Sequence, residues 1–390
     1  MKERGQALLM LVFMIALAAG AAFYTFYSPA SLQQKGEEQT SNVMRAAKEA
    51  LIGYAASSPT LPGQFPCPDM NNDGVAEASN DSGCPSGQLG RLPWKTLGLD
   101  DLRDNAGERL WYATSVIFTK NLAGFACPST DCLDSDTKGQ LTVYQETKTT
   151  VKTNEAVAII FAPGPVLPGQ LRNAAGVNNP VNYLDIADNV NNATPTLNAP
   201  LAPLPSFISA QPGDTFNDRL LIVETSSLWP IVEKRIARDV LKLLTAYRTT
   251  NSYYPWAASN FDDDSNTGTR RGMAPMEDAT PTGWSSGQVP SYIKGSDSKW
   301  GRLIYYAIAE CASSGAPAPP ACGTLTVDGV SKDLVIIMPG PAGASRPSTN
   351  LADYFEDGEN RDNDDQFVTP SSTAYARDRI YFCPGTPGIC

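Results

Sequence analysis

The 390-residue chain contains no histidine. That absence removes the commonest general base, the Ser-His and Cys-His nucleophile pairs, and any histidine-ligated zinc or haem. Lysine and arginine never gather into a run. The balance is acidic, with 30 Lys and Arg against 41 Asp and Glu and a formal charge of −11. Neutralising a phosphate backbone needs clustered cations, so nucleic acid is not an expected partner. Charged residues of both signs make up only 18%, and with so many Gly, Pro, Asn, Ser and Thr the chain has the loop-rich surface of an exported protein. No two cysteines stand in a CxxC pair, which argues against a zinc knuckle. Turns such as Pro163-Gly164-Pro165 lack the Gly-Lys-Ser/Thr and the following helix of a phosphate loop.

What is present begins with one long apolar stretch, Ala7 to Phe26. About twenty residues at about 1.5 Å of helical rise each span roughly the 30 Å of a bilayer core. Only Lys2, Glu3 and Arg4 carry charge before it, and that short basic leader is expected to stay cytoplasmic while the rest is exported. Beyond Pro29, Leu32 to Ala56 continues with helical character. Met44, Ala47, Leu51 and Tyr54 fall on one face and Arg45, Lys48 and Glu49 on the other. The pattern predicts one long helix, half in the membrane and half on a domain, bending at Pro29 and Gly36.

The eight cysteines fall into four local couples: Cys67 with Cys84, Cys127 with Cys132, Cys311 with Cys322, and Cys383 with Cys390. In an exported chain an even number reads as disulfides, and this pairing is inferred from spacing alone.

A second half repeats the landmarks of the first, which predicts a tandem duplication. Arg235 to Tyr247 echoes the helix Arg45 to Tyr54. Tyr253 to Gly268 stands for Phe65 to Gly74, Gln288 to Gly295 for Arg91 to Gly98, and Trp300 to Cys311 for Gly107 to Phe118. Leu334 to Pro341 matches Val157 to Pro165, and Asp378 to Cys383 matches Asp218 to Val223. Between the landmarks, Gly176 to Pro212 reads as a long loop without periodicity. Each copy is expected to be a helix followed by a small, mostly antiparallel sheet. The expected fold is therefore α+β: residues 1–28 as leader and membrane-spanning helix, 29–228 as a first head and 229–390 as a second, both tied by disulfides.

The short leader ending at Gly5, the apolar helix that starts at once, its amphipathic continuation and the disulfide-tied head resemble type IV pilin-like proteins, including the pseudopilins of type II secretion. ALIGYA (Ala50 to Ala55), FPCPD (Phe65 to Asp69), LPWKTLGL (Leu92 to Leu99) and ERLWYA (Glu108 to Ala113) are similar to phrases in large members of that family. The resemblance implies cleavage after Gly5 by a prepilin peptidase, methylation at Gln6 and stacking of the helix among other pilin-like subunits. It also implies an inner-membrane anchor of a single pass, with the heads periplasmic or on the cell surface. Two positions depart from the family's pattern. Met10 stands where a glutamate usually meets a neighbour's terminal amine, and Gln6 stands where Phe or Met is usual. A subunit at the tip of a filament has no neighbour above it to engage, and resembles this chain in lacking that glutamate.

Asp69, Asn71, Asp73, Gly74 and Glu77 follow D-x-N-x-D-G-x-x-E, the opening of a calcium loop, although the twelfth position, Asn80, offers no bidentate carboxylate. The alternatives are calcium on Asp69, Asn71, Asp73 and Glu77, or an Asx-rich turn beside a disulfide. Asp262, Asp263 and Asp264 hold the corresponding place in the second copy, and Asp353 to Asp365 reads as a solvated acidic loop. The tryptophans Trp94, Trp111, Trp256, Trp284 and Trp300 are expected in the core or between the repeats rather than as sugar-stacking platforms. The functional expectation is a non-enzymatic minor or tip subunit of a pilus or secretion filament, acting in assembly or adhesion. An anchored adhesin outside any filament is the alternative, and an exported hydrolase using its acidic loops is a third.

Overall fold

The computed structural model describes residues 10–18, 29–121, 132–194, 205–260, 263–276, 284, 287–294, 300–309, 325–341, 346, 350–362, 364–369 and 378–382. Residues 10–18 are helical. Helix α1 (Pro29–Ser57) starts at the proline, whose fixed φ suits a first turn, and runs on through Gly36. Gly36 is therefore not a bend. A Cβ there would sit 2.7 Å from Asn105 Nδ2, and Thr40 exchanges hydrogen bonds of 3.1 Å with the same asparagine, so the glycine lets a loop of the head lie against the helix.

Met44, Ala47 and Leu51 are buried and Tyr54 is half-buried, as the periodicity predicts. They face a four-stranded antiparallel sheet made of β1 (Leu89–Arg91), β2 (Trp111–Thr114), β5 (Ala158–Ala162) and β9 (Arg219–Val223), in the order β1-β2-β5-β9. Val157 to Ala162 is buried throughout, the signature of a strand covered on both faces. The second face carries a three-stranded sheet of β3 (Leu141–Gln145), β4 (Thr147–Ala156) and β8 (Ser206–Ser209), in which β3 pairs antiparallel with β4 and parallel with β8. The described residues between Gly176 and Pro212, 176–194 and 205–212, are thus more ordered than their composition suggests. They hold a 3-10 turn at Pro180–Asn182, the hairpin β6 (Ile186–Ala187) and β7 (Val190–Asn191), and β8. Short pieces of this kind leave no periodicity to read.

Helix α2 (Thr225–Asn251) opens the second half four residues before the expected boundary and runs through Pro230, its sixth residue, whose missing N–H removes one intrahelical hydrogen bond. The same topology is then laid down again. In a six-stranded sheet β10 (Ala257–Asn260), β11 (Asp263–Thr269), β12 (Arg271–Met273), β13 (Tyr305–Ile308), β16 (Leu334–Met338) and β18 (Arg379–Phe382) run in the order β11-β10-β12-β13-β16-β18. Beside it, β14 (Leu325–Val327) pairs antiparallel with β15 (Val330–Lys332) and parallel with β17 (Gln366–Phe367), as β3 does with β4 and β8. Even side-chain anchors recur: Tyr112 Oη donates to Pro66 O at 3.2 Å and Tyr306 Oη to Pro255 O at 2.9 Å.

Register corrects one expected correspondence. Arg91 pairs with Trp111 and Met273 with Tyr305, while Leu92 N and Ala274 N donate to Leu110 O and Ile304 O. The counterpart of Arg91 to Trp94 is therefore Met273 to Met276, whereas Pro290 to Ile293 is a separate turn.

The two helices pack on each other, and one continuous core takes in both helices and both main sheets. Phe65, Phe118, Trp229 and Trp300 form an aromatic chain across the halves, with ring centroids 6.1, 5.6 and 5.8 Å apart. Arg235 on α2 donates to Ala56 O and Ser58 O, supplying donors to the free carbonyls at the end of α1. Trp111, Trp284 and Trp300 are buried and Trp94 and Trp256 half-buried, in keeping with packing roles. The chain is α+β with antiparallel sheets and a Cys67–Cys84 disulfide.

Candidate functional site

Met10, Leu11, Val12, Phe13, Met14, Ile15 and Leu17 are each between 53% and 71% exposed on the helical segment 10–18. A contiguous apolar surface of this kind has to be covered by something. No described helix is long and apolar enough to cross a membrane; residues 7–9 and 19–26 of the expected span, and the expected processing residues Gly5 and Gln6, lie outside the described residues.

Farther along, α1 and β9 leave a groove of about 640 Å³ between them, floored by Met44, Ile52, Leu220 and Leu221 and rimmed by Arg45 and Lys48. β9 is the outer strand of its sheet. Lys48 Nζ donates to Ile222 O at 2.9 Å, placing a charge across an edge that could otherwise pair with another strand.

The expected calcium loop turns inward on itself. Asp69 is 1% exposed, and its Oδ1 accepts N–H groups from Asn71, Asn72 and Asp73 while Oδ2 accepts that of Gly74 at 2.6 Å. Asn71 Oδ1 accepts from Asp73 N, Asp73 Oδ1 from Val75 N and Glu77 Oε1 from Met70 N. Both carboxylate oxygens of Asp69 and one side-chain oxygen each of Asn71, Asp73 and Glu77 thus accept backbone N–H groups. Among the described residues no group of three or more Asp, Glu or Cys is placed to hold a metal ion. The segment makes the hydrogen bonds of an Asx-rich turn. Gly74, at φ +87°, takes a left-handed conformation under the Trp94 ring, where a Cβ would lie 2.6 Å from the indole.

Cys67 and Cys84 are bonded as expected. Cys132 is disulfide-bonded too; its expected partner Cys127, together with Cys311, Cys322, Cys383 and Cys390, lies outside the described residues. Asp262 also lies outside them, and Asp263 and Asp264 open β11. The stretch from Asp353 to Asp365 is not simply a solvated loop. Tyr354, Phe355 and Asn360 are buried, and Asp365 receives hydrogen bonds from Arg270 and Arg271. Burial opposes ionisation of Asp365, but those two guanidiniums outweigh it and hold its carboxyl below the usual range.

Sequence reasoning missed a constellation that occurs twice. In the first half Asp185 follows the 3-10 turn and Asp218 precedes β9. Asp218 Oδ2 accepts from Asp185 N at 2.8 Å and Asn192 Nδ2 at 2.9 Å, while Asp185 Oδ2 accepts from Asn217 N at 2.7 Å. Asn192 also bonds both the N and O of Ile208 on β8. In the second half Glu356 follows the 3-10 turn Leu351–Asp353 and Asp378 precedes β18. Asp378 Oδ2 accepts from Glu356 N at 3.1 Å, and Asn360 bonds both the N and O of Val368. Burial, then the neighbouring carboxyl, raises Asp218 well above its usual range and Asp378 to about 8. Above each cluster an arginine covers a tyrosine ring: Arg172 over Tyr183 at 4.8 Å and Arg346 over Tyr354 at 5.3 Å. Both arginines donate to the glycine carbonyl of the preceding Pro-Gly-Pro turn, Gly164 and Gly340. The available signal was the shared order Pro-Gly-Pro, Arg, Tyr-Leu/Phe-Asp/Glu, Asn and Asp-Arg in both halves.

One more buried carboxyl sits on α2. Glu233 is fully buried beside Arg379, and burial raises it to about 7 against the pull of that guanidinium.

No family model, curated protein or solved structure matches the chain.

Proposed function

We propose that the chain is a non-enzymatic, pilin-like minor or tip subunit of a type IV pilus or type II secretion-like filament, acting in assembly or surface adhesion. In this reading an N-terminal helix holds it in the inner membrane and then in the filament, among other pilin-like subunits, with both heads outside the cytoplasm. The observation that carries it is the exposed apolar helical segment at 10–18, preceding in sequence an amphipathic helix whose apolar face is already used by an antiparallel sheet. One face is satisfied by the chain itself, and the other stretch demands an apolar partner from outside. The Cys67–Cys84 disulfide supports an oxidising compartment for the head. Met10 in place of glutamate supports a position at the end of a filament rather than in its shaft.

Co-expression of the full chain with a prepilin peptidase tests this. Intact-mass measurement is expected to find a mature protein beginning at Gln6. A retained Met1, or a terminus near Ala22 left by a conventional signal peptidase, overturns the filament assignment.

A further inference from the structure

We propose that the groove between α1 and β9 takes an extended, acidic segment of a partner protein, which joins the sheet as a strand beyond β9 while its carboxylates meet Arg45 and Lys48. Among the described residues β9 is the outer strand of its sheet, so one row of its backbone groups has no neighbouring strand. Thr114 N donates to Gln88 O, which turns Thr114 towards β1. The alternation then carries across β2 and β5, faces Arg219, Leu221 and Val223 towards β5, and leaves the N–H and C=O of Leu220 and Ile222 pointing outwards. Ile222 O accordingly accepts from Lys48 Nζ at 2.9 Å. The slot beside this row measures about 640 Å³, with an apolar floor, α1 on one side and Ser209, Ala210 and Pro212 at the end of β8 on the other. A strand of five residues at about 3.4 Å each would match the length of β9. In strand addition of this kind main-chain hydrogen bonds supply affinity and the flanking side chains supply selectivity.

Charge at the mouth of the groove selects the partner. Arg45 bonds Asn42 Oδ1 and Lys48 bonds Ile222 O, and among the described residues neither cation meets a carboxylate. Glu49 stands on the same rim and pairs with neither of them. Asp218 is buried and accepts hydrogen bonds from Asp185 N and Asn192, and Arg219 is held by Glu37. Two uncompensated cations beside a strand edge, on a chain of formal charge −11, favour a segment that brings carboxylates. Lys48 also guards the edge it serves. Its ammonium occupies the acceptor that an arriving strand needs, which disfavours neutral and basic strands. A carboxylate opposite Lys48 takes over the ammonium and frees Ile222 O for the incoming N–H. An anionic amphiphile could use the cations and the apolar floor, but it has no use for a row of strand donors and acceptors, and that row decides for a peptide. Every residue of the site belongs to the first copy, so it stands whether or not the chain enters a filament.

Fluorescence anisotropy on the full chain in non-ionic detergent tests this with labelled hexapeptides: alternating valine and aspartate, alternating valine and lysine, and the aspartate peptide with proline at its centre. The aspartate peptide should bind about ten-fold tighter than either of the others, and should weaken as salt rises. Proline keeps most of the charge but removes a strand N–H, so its loss of affinity reports the added strand. Hydrogen exchange at the Leu220 and Ile222 amides should slow with the aspartate peptide and not with the lysine peptide. Arg45→Glu/Lys48→Glu should reverse the preference between those two. Equal affinity for the aspartate and lysine peptides, or no binding of the aspartate peptide up to about 1 mM, overturns the proposal. Undiminished binding of the proline peptide overturns the added strand. Laurate that displaces the aspartate peptide, with no slowing of exchange at Leu220 and Ile222 by either ligand, overturns it in favour of an anionic amphiphile. Should the charge-reversed variant fail to fold, the peptide series and the exchange measurement on the wild type decide.

Discussion

Two copies of one topology, built into one molecule, show how much of a fold can be kept while its charges are redistributed. Each copy ties the first residue of its last strand to a glutamate on its helix, but in opposite surroundings. Arg219 and Glu37 meet at 2.9 Å with side chains 39% and 45% exposed, whereas Arg379 meets a Glu233 that is wholly buried. In the first copy α1 and β9 line a groove, although Leu221 of β9 packs on the shared core as Ile380 and Tyr381 of β18 do in the second. A second contrast runs the other way. Arg91 is buried between the rings of Trp111 and Tyr183, at 4.2 and 4.0 Å, and burial lowers it to about 10; the matching strand position in the second copy is the apolar Met273. The fold tolerates a cation or a thioether at that position because what the topology fixes is the sheet register and the buried strand behind it.

The largest expected effect tests whether the copies are separable at all. Trp229 belongs to the second copy's helix, yet it packs on Phe118, and its Nε1 donates to Thr137 O at 3.2 Å in the first copy. Trp229→Ala should cost about 3–5 kcal/mol, the usual loss for a buried aromatic, and should lower the unfolding midpoint seen by probes in both copies. A midpoint that moves in the second copy alone would divide the molecule into two independent domains. Next comes the buried pair. Arg379→Ala leaves Glu233 without its partner; the loss, measured by denaturant unfolding above neutral pH, should approach the about 3–5 kcal/mol usual for one member of a buried pair and be capped at lower pH by protonation of Glu233. The loss should shrink on acidification. Glu233 is raised above its ordinary 4.5 even when paired, so its burial weakens the fold as pH climbs from 4.5 to about 7 and is harmless below that window. A loss independent of pH would mean that the arginine acts through packing instead.

What could be read beforehand follows from how each feature is encoded. The helices were visible because Met44, Ala47, Leu51 and Ile236, Val240, Tyr247 repeat at helical spacing, and the central strands because Val157 to Ala162 and Leu334 to Met338 are unbroken apolar runs. The short strands β6 to β8 hold two to four residues each, too few to show alternation. One correspondence between copies slipped because the Pro in Arg91 to Trp94 recurs both in Met273 to Met276 and at Pro290, and only hydrogen-bond register separates them. The candidate site was harder still. A D-x-N-x-D-G spacing does not say which way its oxygens turn, and here the N–H groups of Asn71 to Gly74 meet those of Asp69. The twin carboxyl pairs were hidden because Asp185 and Asp218 are far apart in sequence, and no spacing rule joins them.

The smallest expected effect is the sharpest test of the contrast between the copies. Arg219→Ala breaks the same kind of contact as Arg379→Ala, on the first residue of the equivalent strand. Here both partners stay in water when separated, and the exposed pair is worth under about 1 kcal/mol before salt screens it further. Its loss in denaturant unfolding should lie within that bound and vanish in high salt, while that of Arg379→Ala persists. If the two substitutions cost the same, burial does not set the value of these pairs. A loss for Arg219→Ala well above that bound would instead mean that the groove between α1 and β9 is held open by this contact, and that its collapse carries the cost.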